Sequence, residues 1–302
     1  MKRKVIQLAG KTHVLSLPYK WVRKYNIKKG EELDMLEDGQ KIIISTSSLQ
    51  QLKKKDIDAK KLKIILARLI GAVYKAGFDE IEVRYENAEQ YSSIKKCLDR
   101  TCIGMEIVEH GNNRVLIKNI SLPQADQFDN VLRRLFLSLL AMADDGLDAA
   151  TKKNEDALQE LILRDDAINK YSDFCRRILN TKGTDSTMRA APLYYIVEQL
   201  ERIGDTYRDI ALLLQEEFVV FSKPVNAWYQ SVNTYLRSFY LLYYSFDLEK
   251  VERLGEQYLA LEKSFDKVLK QATKKESIFV FYLKKILEDV WDMNGALLTA
   301  KL

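Results

Sequence analysis

Apolar and polar positions change their spacing along the chain in a way that separates three regions. Residues 2–8 alternate as a strand does, Gly10-Lys11 reads as a turn, and Thr12 to Ser16 reads as a second strand. Leu17-Pro18 then opens a short helix to about Tyr25, because proline suits a first helical turn, with Ser16 as its cap. After a turn at Lys28-Lys29-Gly30, strands are predicted at Glu32–Leu36 and Lys41–Ser45, joined through Glu37-Asp38-Gly39-Gln40. From residue 56 the pattern alternates between helix and strand. A helix is predicted from Asp58 to Ala76 with Gly77 closing it, then a strand at Ile81–Tyr85 and a helix at Ala88–Leu98. Strands at Gly104–Glu109 and Arg114–Asn119 flank a turn at residues 110–113. The middle region, residues 56–121, thus reads as a small α-β-α-β-β unit.

From Pro123 onward only helical spacing remains. Leu193, Ile196, Leu200, Ile203, Tyr207, Ile210 and Leu214 recur in steps of three and four, as do Trp228, Val232, Tyr235, Phe239, Leu242 and Phe246. Breaks near Thr151, Lys182-Gly183-Thr184, Ser222-Lys223-Pro224, Asp247 and Thr273 divide the region into six long helices. They read as two three-helix bundles, about 122–220 and 224–302. The expected fold class is α+β, mostly α, with a β-rich head at residues 1–50, the small α/β segment and the helical region 122–302.

Charge adds a partner to this picture. The net charge of +5 is unevenly placed: residues 1–55 carry 13 Lys and Arg against 5 Asp and Glu, and the other 247 carry 35 against 38. A basic head on a slightly acidic body suggests a polyanion partner such as nucleic acid, a solubilising surface being the alternative. The head has too few residues to bury a core of its own, so it is expected to form a homodimer whose chains exchange hairpins. No apolar run approaches the roughly 18 residues a membrane span needs. The first apolar stretch, Val5 to Leu8, is too short for a signal peptide, so a cytoplasmic protein without membrane insertion is expected. Three cysteines, Cys97, Cys102 and Cys175, and two histidines, His13 and His110, match no disulfide framework and no zinc spacing.

Specific residues in the head resemble a known family. Val14 to Met35, with Leu17-Pro18, Val22-Arg23, Ile27-Lys28-Lys29-Gly30, Asp38-Gly39 and Ile42-Ile43-Ile44, resembles the AbrB/MazE/SpoVT swapped-hairpin family. Tyr19 and Trp21 are bulkier than is usual there, and Asn26 stands where glycine is frequent; asparagine tolerates left-handed backbone angles. The resemblance implies a DNA-binding dimer and, at matching positions, contacts from Lys2, Arg3, Lys4, Lys11 and His13. Lys and Arg would meet phosphates, and Arg3 is the candidate for reading a guanine edge. Lys20, Arg23, Lys24, Lys28 and Lys29 read as a solvated helix face, with contact to DNA as the alternative.

In the helical region Glu201-x-x-x-Asp205 and Glu288-x-x-x-Asp292 lie 87 residues apart, as in an internal duplication. A spacing of four puts both carboxylates on one helix face, a repulsion of a few tenths of a kcal/mol that a bound cation would reverse. A solvated acidic face is the alternative. Leu200 to Asp205, continuing to Asp209-Ile210-Ala211, resembles the PhoU family of phosphate-uptake regulators, as does Arg164-Asp165-Asp166 with Ile168. That resemblance covers roughly residues 126–300. It implies two three-helix bundles and a divalent or trivalent metal (Fe, Mn, Mg or Zn) held by Glu201, Asp205, Glu288, Asp292 and Asp165. Departures are Asn169 for an expected acid, Asp289 for arginine and Trp291 for glycine. An AbrB-like head on a PhoU-like body resembles archaeal phosphate uptake regulators. The function implied is a DNA-binding transcriptional regulator of phosphate uptake with a metal-binding sensor region. The alternative is an adaptor that restrains a phosphate transporter or signalling complex by protein contacts. No nucleophile–base constellation accompanies the carboxylates, so no enzymatic activity is expected.

Overall fold

A computed structural model describes residues 2–8, 10–38, 41–46, 52–121, 127–182 and 189–302. It divides into two compact units, residues 1–52 and 53–302, and it is mostly helical α+β.

The first unit contains β1 (Ile6–Leu8), β2 (Thr12–Val14), α1 (Tyr19–Lys24), β3 (Leu33–Asp38) and β4 (Lys41–Thr46). β1 pairs only with β2 and β3 only with β4, both antiparallel, giving two separate hairpins. Such hairpins are at best marginally stable alone, and none of the described side chains of residues 2–46 is buried. The strands differ from the sequence expectation at their ends. β1 begins at Ile6 rather than residue 2, β2 stops at Val14, and β3 runs on to Asp38. Ser16 is not the helix cap: Pro18 takes that position in extended conformation (φ −62°, ψ 123°), with no side-chain cap bond. The ring restricts Leu17 to extended geometry and delays the helix by two residues. At its other end Asn26 adopts φ +52°. Ile27 N donates to Val22 O at 3.0 Å and Asn26 N to Arg23 O at 3.3 Å, a Schellman closure with asparagine in the glycine position. Gly39 and Gln40 of the expected hairpin turn lie outside the described residues.

The second unit begins with an α/β domain: β5 (Lys54–Asp58), α2 (Leu66–Lys75), β6 (Glu80–Arg84), α3 (Ala88–Thr101), β7 (Met105–Gly111) and β8 (Arg114–Asn119). Its sheet order is β5-β6-β8-β7, with β5 parallel to β6 and the other pairs antiparallel. The expected α-β-α-β-β order lacks β5, and the first helix starts at Leu66, not Asp58. Lys54-Lys55-Asp56-Ile57-Asp58 escapes a hydropathy reading because it is an edge strand with only Ile57 buried. Gln90 closes the resulting loop. Its Nε2 donates to Ala59 O at 2.7 Å and Leu62 O at 3.0 Å, while Asn87 caps α3 through Gln90 N at 2.9 Å.

Six helices follow: α4 (Gln127–Lys152), α5 (Glu155–Lys182), α6 (Ala190–Glu216), α7 (Lys223–Tyr244), α8 (Leu248–Gln271) and α9 (Ser277–Lys301). The expected start at Pro123 and the Gly183-Thr184 part of the second break lie outside the described residues. α4, α5 and α6 pack as one three-helix group and α7, α8 and α9 as another. α6 against α9 and α4 against α7 merge their interiors into a single hydrophobic core. Among the described residues no helix is long and apolar enough to cross a membrane.

One buried carboxylate holds the helix junctions of the second group. Glu276, 1% exposed, precedes α9 and accepts hydrogen bonds from Ser222 N, which precedes α7, and from Thr273 N at 2.7 Å. Burial alone would raise its carboxyl, but these bonds outweigh burial and set it below the ordinary value. Glu276→Ala is expected to lower stability by about 1–3 kcal/mol, measured by urea unfolding at neutral pH. Because the folded carboxyl is depressed, this contribution is present above the ordinary glutamate range and is lost as pH falls through the lower folded value. An unfolding difference between parent and variant that stays constant down to acid pH would contradict the assignment.

Candidate functional site

The chemistry of the second unit gathers around two consecutive, fully buried arginines on α5. Arg177 turns toward the α/β domain. Its Nη1 donates to Tyr74 O at 2.7 Å and Phe78 O at 2.8 Å, and its Nη2 to Asp79 Oδ1 at 2.7 Å. Its guanidinium also sits 4.9 Å from the centre of the Tyr74 ring. These carbonyls lie at the C-terminal end of α2, where the helix dipole favours a cation. Gly77 permits that arrangement by adopting φ +84°.

Arg176 turns toward the bundle interior. Its Nη1 donates to Asp173 Oδ1 at 2.8 Å, its Nε lies 2.8 Å from Glu198 Oε1, and its Nη2 binds Glu201. Lys75 of α2 reaches the same Asp173 at 3.1 Å. Burial raises the Glu201 carboxyl, and the Arg176 charge opposes that rise. Arg208 of α6 is a second hub. Its Nη1 donates to Asp165 Oδ2 at 3.0 Å and to Asp205, and its Nη2 to Asp209 at 2.9 Å. Asp165 also accepts from Asn169 at 2.9 Å. Burial pushes the Asp165 carboxyl up and Arg208 pulls it down, with burial prevailing.

The second acidic motif is arranged differently. Glu288 lies 3.3 Å from Lys284 on the same helix, and Asp292 is exposed beside it. The buried carboxylate of this helix is Asp289, 3.6 Å from Arg202 of α6. Trp291 stacks on Tyr258 at 4.5 Å with an interplanar angle of 10°.

Of the five carboxylates expected to hold a metal, four are therefore apportioned among Arg176, Arg208 and Lys284, and Asp292 is exposed. Among the described residues no group of three or more His, Cys, Asp or Glu side chains is placed to hold a metal ion. Glu201 and Asp205 face different arginines, and a guanidinium occupies the space a cation would need. As placed, these residues do not fit a metal. In the first unit Lys2, Arg3 and Lys4 precede β1, Lys11 lies in the β1–β2 turn and His13 on β2, all exposed. Because Ile6 pairs with Val14 and Leu8 with Thr12, the two lysine-bearing segments flank opposite ends of the hairpin.

Sequence reasoning misses Arg176 and Arg177 as functional residues. Their signal is a charged pair inside the apolar run Phe174-Cys175-Arg176-Arg177-Ile178-Leu179, which a buried helix tolerates only if both charges are matched. It misses a thiol pair as well. Thr101 Oγ1 lies 3.5 Å from Cys97 Sγ and 3.4 Å from Cys102 Sγ, all three cysteines being free and buried. The neighbouring Cys102 thiol lowers the Cys97 thiol from its ordinary value against the effect of burial, while the Cys102 thiol is pushed up.

These features define a helical-bundle protein of two three-helix groups, with an α/β domain seated on the first. Residues 132–214, spanning α4 to α6, match the PhoU domain. Among solved structures it is similar to the phosphate transport system regulatory protein PhoU from Streptococcus pneumoniae. The two are 16% identical, with 59% of this chain and 94% of that chain covered and a TM-score of 0.47. No curated protein matches the chain.

Two outcomes follow. Arg177→Met is expected to destabilise the chain by about 3–5 kcal/mol in urea unfolding, because Asp79 and two carbonyls lose a buried partner. After equilibration with Fe, Mn, Mg or Zn and desalting, the purified protein is expected to retain substoichiometric metal, unchanged by Glu201→Gln with Asp205→Asn. One bound equivalent that this double variant removes would refute the arginine-for-metal assignment.

Proposed function

We propose that the protein is a PhoU-type regulator of phosphate transport that acts through protein contacts, as a homodimer joined by residues 1–50. The observation that carries the first part is the PhoU domain match over α4–α6. The carboxylates of that domain are neutralised by arginine, which leaves a structured surface for protein contacts rather than an exposed acid cluster. The test is recovery of phosphate-transport components on the tagged full-length chain, together with phosphate uptake after deletion of its gene. Co-recovery and raised uptake are expected; a clean preparation with unchanged uptake would sink the proposal.

The dimer reading is supported by the absence of any buried described side chain in residues 2–46 and by two hairpins that do not pair with each other. Met35 pairs with Ile44, and Glu37 with Ile42, so Met35, Ile42 and Ile44 share one face of β3–β4. Met35 and Ile42 are 64% and 62% exposed. A second copy is the partner that would cover this face. Met35→Lys with Ile42→Lys in the full-length chain is expected to convert a dimer to a monomer in light scattering.

A second reading has its own observation: Lys2, Arg3, Lys4 and Lys11 are exposed and make no ion pair among the described residues, so they are available to a duplex. In this reading the head also binds DNA. Fluorescence anisotropy across a salt series is expected to show affinity that falls with salt. Arg3→Ala with Lys4→Ala should reduce the slope by about 0.9 for each phosphate no longer neutralised. Salt-insensitive binding, or an unchanged slope, would exclude it.

A further inference from the structure

The helices α2 and α3 of the α/β domain and the helices α5 and α6 enclose a cleft of about 900 Å³, within the size range of small-molecule sites. Its lining is rich in groups that hold oxyanions: Arg68, Lys75, Ser92, Ser93, Lys96 and Arg100. Two of these cations are already engaged, Lys75 with Asp173 at 3.1 Å and Arg100 with Asp166 at 3.1 Å. Arg68 and Lys96 are not. Both are exposed, and neither makes a hydrogen bond or ion pair among the described residues. They project from different helices, so a ligand held by both would bridge α2 and α3. Ser92 and Ser93 stand four and three residues before Lys96 on α3, which puts their hydroxyls on the same helix face as its ammonium.

The lining also contains a glycine that packing does not require. Gly71 lies inside α2, one turn after Arg68, with helical backbone angles, and a Cβ built on it would meet nothing within 4 Å. Glycine is the least favoured residue in a helix interior after proline. No close neighbour and no left-handed backbone explains it here; what it does is leave room in the cleft. On the far wall Asp173 and Glu201 share Arg176, and Asp173 also pairs with Lys75, so the acids of that wall are held by cations. Glu89, exposed near the start of α3, supplies a hydrogen-bond acceptor at the same cleft.

We propose that this cleft binds a phosphorylated small molecule of nucleotide size, its phosphoryl oxygens meeting Arg68 and Lys96 and its hydroxyl-bearing portion meeting Glu89. Charge-assisted hydrogen bonds from a guanidinium and an ammonium suit phosphoryl oxygens, and inorganic phosphate alone would leave most of the volume empty. The ligand would touch both the α/β domain and the bundle, and this site does not depend on whether the chain contacts DNA or transport proteins.

Calorimetric titration of the full-length chain with AMP, ATP and inorganic phosphate tests it. A nucleotide is expected to bind about tenfold or more tighter than inorganic phosphate. Arg68→Ala with Lys96→Ala is expected to weaken that binding at least about tenfold, with an unchanged unliganded melting temperature, since neither side chain has a partner to lose. Gly71→Leu, which fills the cleft and keeps both cations in the chain, is expected to weaken nucleotide binding as well. Failure of all three probes to bind, or binding that survives both variants, would overturn the site. Equal affinity for inorganic phosphate would overturn the nucleotide-sized ligand.

Discussion

A guanidinium buried in a helical bundle has few acceptable surroundings, and the placement of Arg177 depends on one of them. Removing an arginine from water is expensive unless its donors are matched. The C-terminal end of α2 offers two main-chain carbonyls and the adjoining Asp79, all within 2.8 Å. This interaction ties the end of α2 and the start of β6 to the C-terminal part of α5, within the compact unit of residues 53–302. Successive helical residues project about 100° apart, so Arg176 faces α6 instead and draws Asp173, Glu198 and Glu201 around itself. Two adjacent residues thus tie α5 to two different neighbours, and both the acidic motif and the cleft wall are consequences of that pairing.

The same accounting explains how the two units differ. In the second unit, apolar side chains from α4 to α9 close a continuous interior. In the first unit, Val5, Ile6, Leu8, Leu15, Met35 and Ile42 remain exposed, although its turns are well made. Asn26 and Gly30 take positive φ where the chain reverses, and α1 is closed by its own carbonyls. Local backbone preferences suffice to form the elements. Burial needs more apolar surface than about fifty residues with two short hairpins supply.

The helical region is legible in the sequence because amphipathic spacing is a property of each helix alone. Asn26 is legible for a similar reason, since its left-handed angle is a local matter. β5 is hidden because an edge strand needs only one inward residue, Ile57, and its lysines and aspartates read as loop. Pro18 displaces Ser16 as the cap because the restriction it places on the preceding residue outweighs a serine's capping preference. The partners of the acidic motif are beyond reach for a different reason. Glu201 and Asp205 advertise a charged face, but whether a cation or an arginine answers them is decided by α5 and by a neighbour one turn away on α6.

The second acidic motif differs from the first in ways that its packing explains. Positions 87 apart correspond: Glu201 with Glu288, Arg202 with Asp289, Gly204 with Trp291, and Ile168 with Gly255. In the first group Gly204 makes room for Ile168, whose Cγ2 would lie 2.8 Å from a Cβ added to the glycine. In the second group the small residue is on the opposite helix, where a Cβ added to Gly255 would lie 3.7 Å from the Trp291 ring. The volume at this meeting point is kept while its two sides are exchanged, so the tryptophan is a repacking of the motif and not its decay. Arg202 and Asp289 carry the argument further. They are equivalent positions, and they meet each other across the α6–α9 interface at 3.6 Å. Equivalent positions meet in this way where two copies are related by a pseudo-two-fold axis, as in an isologous dimer. At such a position identical charges would repel. Arginine on one side and aspartate on the other makes an ion pair there instead, an arrangement closed to a homodimer, which must place the same residue on both sides.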